Sequence, residues 1–446
     1  MEHNSQYHDE SVPGYKPVHE ILNNKRSKWD LPMVSTILPD DSVVEMVFDP
    51  KEKVTRLCLY RDEAVRYVNK IEIKGRVHVP YSANNNLVHN EIILFPSQAT
   101  EYGTERELVA EIHSFIHRYV DIDSTFEHVA AYYVLLSWVY DAFNELPYLR
   151  IRGDYGTGKT RFLLTIGSLC YKPIFASGAS TVSPLFRMLE SFRGTLIVDE
   201  GDFRFSDERA DLVKILNNGN ARGFPVLRCE TNQSREFNPA AYSVFGPKLV
   251  AMRGTFDDPA LESRFLTHEV GLRPLRSDIA LNLPVNQREE ARQLRNKLLM
   301  FRFKKRHQVQ VQPSLARKSV EPRLNQILLP LLSIIDDPEV RRHIEQLTEN
   351  QQRQLIAERG ESTEGQILGI IRDLVDSGEL RLSIKAVTDM FRDRHGEDCE
   401  RKVSNKWIGS IIRKKLNLRT LKSNGTYCLA DINADVLTAL YERYGV

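Results

Sequence analysis

The chain has 446 residues, with 61 Lys and Arg against 60 Asp and Glu, so its formal net charge is +1. That length is too great for one compact core and predicts two or three domains, while the charge balance confines any nucleic-acid surface to local clusters. The five cysteines, Cys58, Cys170, Cys229, Cys399 and Cys428, form no CxxC pair or metal-ligand spacing, which argues against a zinc site and for reduced thiols in a cytoplasmic protein.

The first ten residues are polar and mixed in charge, without the basic start and apolar core of a signal peptide. The longest apolar stretch, 129–139, is interrupted by Ser137 and is too short to cross a bilayer. A soluble protein without a membrane partner is expected.

Residues 1–30 read as a poorly ordered tail. Over 31–100 a small β-containing region is expected, with short strands at 43–48, 55–59 and 71–73 separated by turn residues. Leu108, Ile112, Phe115, Ile116 and Tyr119 then recur at helical spacing, and 126–143 makes a second, more apolar helix. Both helices belong with the core expected at 101–270.

Within that core, 148–152 has strand character and runs directly into Gly153-Asp154-Tyr155-Gly156-Thr157-Gly158-Lys159-Thr160, a complete GxxxxGK[ST] run. Phe162, Leu163, Ile166, Leu169 and Cys170 follow at helical spacing. Strand, glycine loop and helix in this order make a nucleoside-triphosphate site: glycines let backbone N–H groups turn inward around a phosphate, and the helix adds its positive end. Lys159 is expected on the β- and γ-phosphates and Thr160 on Mg²⁺.

Gly194-Thr195-Leu196-Ile197-Val198-Asp199-Glu200 is an apolar strand ending in two carboxylates, a Walker B pattern. Asp199 is expected beside Thr160 as a metal-orienting group, and Glu200 as the carboxylate that polarises the attacking water. Hydrolysis of ATP with Mg²⁺ is therefore expected.

The glycine loop, the run Val198-Asp199-Glu200-Gly201-Asp202-Phe203 and the run Pro259-Ala260-Leu261-Glu262-Ser263-Arg264-Phe265 together resemble the AAA+ core of minichromosome maintenance helicases. They are similar above all to the related ATPases of bacterial mobile elements. The resemblance implies an α/β three-layer P-loop core with a helical lid, and a homo-oligomeric ring, of which a hexamer is one form. It makes Arg264 an arginine finger reaching a neighbour's γ-phosphate; action within its own subunit is the alternative. Arg323, opening a helical segment over 323–355, is the candidate sensor 2 arginine of the nucleotide site. After the strand at 248–252, Arg253 and Thr255 stand where a polar sensor is usual, so sensor 1 stays unassigned.

Between Asp199 and Arg264, two short strands around a polar turn carry Arg222, Arg228 and Arg235. They fit an inserted hairpin that contacts DNA phosphates or, equally, a solvated surface hairpin. Residues 271–360 are read as a basic connector, rich in Arg and Lys over 292–306, followed by the lid.

The last domain, 361–446, has the order of a winged helix: a helix over 384–394, a second over 403–415, and two strands around Ser423-Asn424-Gly425. From Arg401 to Lys422 there are eight Lys or Arg and no acidic residue. Lys402, Asn405, Lys406, Arg413, Lys414, Lys415 and Lys422 are the expected DNA contacts, a protein-docking role being the alternative. The whole reads as an ATP-dependent DNA translocase or helicase acting in replication. Its rivals are a replication initiator or helicase loader, and a DNA-binding regulator assembled by ATP.

Overall fold

The computed structural model describes residues 15–16, 30–177, 182–199, 206–229, 238–256, 258–271, 275–379, 381–396, 402–423, 425–430 and 434–446. The chain divides into two compact units, Met1–Ile344 and Glu345–Val446.

The first unit opens with β1 (Tyr15–Lys16), β2 (Leu31–Met33), β3 (Ser35–Ile37), β4 (Val43–Asp49), β5 (Val54–Arg61), β6 (Ala64–Val68), β7 (Ile71–Ile73) and β8 (Arg76–Pro80). The strands β3 to β6 form an antiparallel meander, and β1-β7-β8-β2 a second small sheet. The strands expected at 43–48, 55–59 and 71–73 are all present. Helices α1 (Asn86–His89), α2 (Glu105–Tyr119) and α3 (Ser124–Val139) follow. A reciprocal capping box between Thr104 and Glu107 starts α2, and the Asp123 carboxylate accepts from the Phe126 N–H to start α3.

The centre of the unit is a five-stranded parallel sheet. Its members are β9 (Tyr148–Arg152), β10 (Ile174–Ser177), β11 (Leu196–Asp199), β14 (Lys248–Met252) and β15 (Phe265–Glu269), in the order β10-β11-β14-β9-β15. Leu196, Ile197, Val198, Leu249, Val250 and Ala251 are all buried, as continuous apolar runs must be when both faces of a sheet are covered. The connections supply α4 (Lys159–Gly167), α5 (Val182–Phe192), α6 (Ser206–Asn218), the antiparallel pair β12 (Val226–Arg228) and β13 (Ala240–Tyr242), and α7 (Pro259–Glu262).

The segment expected as a basic connector contains a 20-residue helix, α8 (Asn286–Lys305), followed by α9 (Pro322–Ile334) and α10 (Pro338–Glu361). Its basic residues from Arg292 onward face inward or pair with acids. Arg302 is 3% exposed, donates from Nε to Glu45 at 2.7 Å and from Nη1 and Nη2 to Asp141 at 2.9 Å each. Lys172 joins Glu45 at 3.1 Å. Burial opposes a charged Asp141, but the Arg302 and Arg306 guanidiniums hold its carboxyl well below the usual range. Arg295 donates to the Ser168 carbonyl at 2.7 Å, and Lys297 pairs with Glu111 at 2.6 Å. The cationic composition of this segment is thus consumed in joining α8 to the strands and helices around it.

The second unit contains α11 (Thr363–Asp376), α12 (Ile384–His395), α13 (Asn405–Lys414), β16 (Thr420–Ser423), β17 (Thr426–Leu429) and α14 (Ala434–Tyr444). Ser362, Ser383 and Ser404 cap α11, α12 and α13 by accepting from the Gly365, Ala386 and Trp407 N–H groups. Ile367, Ile371, Val387, Phe391, Ile408 and Ile412 form its core, with Phe391 edge-on to Trp407 at 5.9 Å. The hairpin docks through the Leu429 N–H, which donates to the Leu382 carbonyl at 2.9 Å. Helices and hairpin lie where the sequence placed them. Among the described residues, no helix is long and apolar enough to cross a membrane.

Buried lysines make stability depend on pH, Lys248 above all. The Lys248 side chain is fully buried on β14, its ammonium donating to the Val244 and Gly246 carbonyls at 2.8 Å each, and burial pulls its pKa down to about 7. The unfolded chain keeps the ordinary value of about 10.4, so between the two it binds more protons than the fold and stability rises with pH. Urea-unfolding midpoints should increase from pH 7 to pH 9, and Lys248→Met should reduce that rise, the remainder coming from the buried Lys172, whose pKa burial lowers to about 8. A slope unchanged by the substitution would contradict a titrating Lys248.

Candidate nucleotide site

The glycine loop leaves the carboxyl end of β9 and enters α4 without a break. Gly156 and Gly158 have φ of 72° and 87°, a region that L side chains rarely adopt. Gly153 is required for a different reason: a Cβ there would stand 2.6 Å from the Val270 carbonyl oxygen. The Thr157 hydroxyl donates to the Asp154 carbonyl at 2.8 Å and ties the loop across its base. At the start of α4 the N-cap is Gly158, which makes no side-chain cap bond. The first turn of the helix thus presents backbone N–H groups beside the loop, the arrangement that receives phosphate oxygens.

The residues expected around Mg²⁺ come together. The Thr160 hydroxyl donates to Asp199 Oδ2 at 2.7 Å, from the first turn of α4 to the carboxyl end of β11. The Lys159 ammonium donates to the Gly153 and Asp154 carbonyls at 2.6 and 2.5 Å, folded over the loop. A hydroxyl and a carboxylate are hard oxygen donors of the type that suits Mg²⁺, so the pair fits that ion. Glu200 lies outside the described residues.

Strand β14 lies between β9 and β11, and the Gly153 N–H donates to the Met252 carbonyl at 3.3 Å. Arg253, the next residue, therefore emerges beside the loop. Its guanidinium lies 3.4 Å from the centroid of the Tyr155 ring, although Tyr155 is 69% exposed.

Arg264 is elsewhere. Strands β9 and β15 run parallel with Tyr148 opposite Phe265 and Arg152 opposite Glu269, so Arg264 precedes β15 at the end of the sheet opposite the glycine loop. Five residues at about 3.3 Å each put roughly 17 Å between the two, more than an arginine side chain spans. In this conformation Arg264 cannot serve the loop of its own chain. Its Nη1 donates to the Asn217 side-chain oxygen and lies 3.4 Å from the Leu216 carbonyl. Its buried Nε has no hydrogen-bond partner among the described residues. Burial, and then the neighbouring Arg323 cation, pull its pKa below the ordinary guanidinium value against a Tyr148 contribution of opposite sign. Arg323 donates to the Ala260 carbonyl at 2.9 Å and thus sits with Arg264 rather than with Lys159.

The hairpin arginines are engaged within the fold. Arg222 donates to the Phe143 and Asp141 carbonyls at 2.8 and 2.7 Å, and Arg228 pairs with Asp211 at 2.7 Å over the Phe186 ring. Arg235 lies outside the described residues. Arg228 lies on β12, whereas Arg222 precedes that strand and β13 begins beyond position 235, at Ala240. In the second unit Lys402, Asn405, Lys406, Arg413, Lys414, Lys415 and Lys422 are all exposed. Arg413 and Arg419 also border a groove of about 410 Å³ with Asn417, Leu418, Thr420, Leu421 and Ala430.

Sequence reasoning missed the bond that fixes the far end of the sheet. Arg150, 3% exposed in the middle of β9, grips both oxygens of Glu262 at 2.7 and 2.5 Å. The same carboxylate accepts from the Phe256 N–H. A charged residue inside the apolar run 148–152 was the available signal. Arg150→Ala should strip a partly buried carboxylate of its cation and cost about 1–3 kcal/mol in chemical denaturation. A loss below about 1 kcal/mol would show that this pair does not fasten α7 to the sheet.

No protein-family model matches the chain, and no curated protein matches it by sequence. Among solved structures it is similar to the apo C-terminal region of NrS-1, at 12% identity and a TM-score of 0.36, covering 86% of this chain and 95% of that one. A second structure of that region, residues 305–718, overlaps at 11% identity and a TM-score of 0.33, covering 86% and 96%. JCV helicase with a bound inhibitor overlaps at 16% identity and a TM-score of 0.25, covering 62% and 66%. These overlaps do not define a shared fold, and the site's own geometry bears the functional argument.

Proposed function

We propose that the chain is an ATP hydrolase of the AAA+ type that acts on DNA as a translocase or helicase, with 101–270 as its core, 271–360 as connector and lid, and 361–446 as a winged helix. The observation that supports it best is the Thr160–Asp199 contact at the mouth of a glycine loop entering a helix. In this reading backbone N–H groups of 153–160 receive the phosphates, and Lys159 exchanges its carbonyl partners for phosphate oxygens. Thr160 and Asp199 hold Mg²⁺, which supplies charge neutralisation on the transferred phosphoryl group. Glu200 orients the attacking water.

The strand register favours an arginine finger working across a subunit interface, since Arg264 is too distant from its own loop. A head-to-tail homo-oligomer follows from that reading. Proteins with Lys159→Ala or Arg264→Ala should each lose nearly all ATPase activity, and mixing them should restore part of it by pairing an intact loop with an intact finger. Co-assembled mixtures that stay inactive would leave Arg264 a structural residue.

The exposed cations of α13 and the hairpin in the second unit suit duplex phosphates. Lys406→Ala combined with Lys414→Ala should weaken duplex binding and reduce the log–log salt slope by roughly 0.9 for each phosphate no longer neutralised. An unchanged slope would favour protein docking. A second reading, an initiator, loader or ATP-assembled regulator, gains from Arg222 and Arg228 being bonded within the fold. Strand displacement by the wild-type protein would exclude it.

A further inference from the structure

We propose that Tyr155 is a perch for Arg253 that holds the nucleotide-free loop in a waiting state and so sets the preference for triphosphate over diphosphate. The inference rests on the reading of 153–160 as a phosphate loop. Three observations lead to it.

An aromatic residue 69% exposed in the middle of a phosphate loop gains little from burial, yet its ring lies against a guanidinium at 3.4 Å. The cation comes from the strand that separates β9 from β11. Arg253 therefore leaves the sheet between the glycine loop and Asp199, on the side where the last phosphate of a metal-bound chain must lie. The contact is also strictly local: Met252 pairs with Arg152, so Arg253 and the loop are fixed side by side by strand register.

The consequence has a definite sign. A cation–π contact stabilises the state in which it exists. Here that is the empty loop, and a ligand that draws Arg253 away must offset the contact. Removing the ring should therefore tighten binding, while removing the cation should weaken it. Only a ligand with a third phosphate reaches Arg253, so both effects should fall on the triphosphate. A structural role for the stack would instead make both substitutions weaken binding.

Equilibrium titration of the full chain with fluorescent N-methylanthraniloyl ATP and ADP tests this. Tyr155→Ala should tighten the ATP analogue by about 2- to 30-fold, the span of a cation–π contact, and leave the ADP analogue unchanged. Tyr155→Phe, which keeps a ring, should resemble wild type. Arg253→Met should weaken the ATP analogue and leave ADP unchanged. Parallel losses in Tyr155→Ala and Arg253→Met, or an ATP-to-ADP ratio unmoved by either, would overturn the perch while the phosphate-loop reading stood. Absence of binding by wild-type protein, or binding indifferent to Lys159→Ala, would overturn both.

Discussion

The parallel pairing of β9 with β14 on one side and β15 on the other is the constraint on which the site depends. It places the glycine loop beside Arg253 and directs α4 back over the sheet, so that Thr160 meets Asp199 two strands away. The same pairing sends Arg264 to the opposite end. Open parallel sheets bind ligands outside the carboxyl ends of their strands, where successive connections diverge to either side. Here β9 is that point: the chain leaves it for β10 at one edge and returns by β15 at the other. The buried Arg150–Glu262 pair holds this geometry from within, because α7 determines where the residue before β15 can lie.

Most of the site was legible in the sequence because its parts are local. A glycine loop and the first helical turn fall within eight consecutive residues, and the acidic strand announces itself as an apolar run ending in Asp199. The Thr160–Asp199 contact needed only that both elements join one sheet. The small β-containing region, the paired helices and the second unit's hairpin were legible for the same reason: periodicity and turn residues are short-range signals. Arg253 on Tyr155 was not legible, since strand register brings together residues 98 positions apart. The distance from Arg264 to the loop likewise emerges only when the direction of β15 is known.

Charge was the least readable property. The cations over 292–306 read in sequence as a basic connector, yet Arg302 is buried against Glu45 and Asp141, and Arg295 against backbone carbonyls. Composition cannot separate the two cases, because the acids come from segments far away in the chain. In the second unit the cations between 402 and 422 lie on one helix, its flanking residues and an adjoining hairpin, with no acid among them in sequence, and they remain exposed. Both basic runs are free of acids in sequence, so what separates them is whether acids from distant segments fold onto the cations, as Glu45 and Asp141 do on Arg302.

The glycine loop is built so that its polar groups already have partners. Lys159 bonds two loop carbonyls, Thr160 bonds Asp199, and Arg253 covers Tyr155. Binding at such a site is an exchange: each new contact with a ligand replaces an internal one, and only the difference contributes to affinity. This arrangement lowers affinity relative to a site of bare charges, but it keeps cations and carboxylate in place without a ligand and limits the reorganisation that binding requires. It also makes discrimination between ligands sensitive to small terms, because a contact of about 1 kcal/mol in the empty loop changes a binding constant several-fold. In the proposed hydrolytic cycle, internal partners of comparable strength are what make release as accessible as capture.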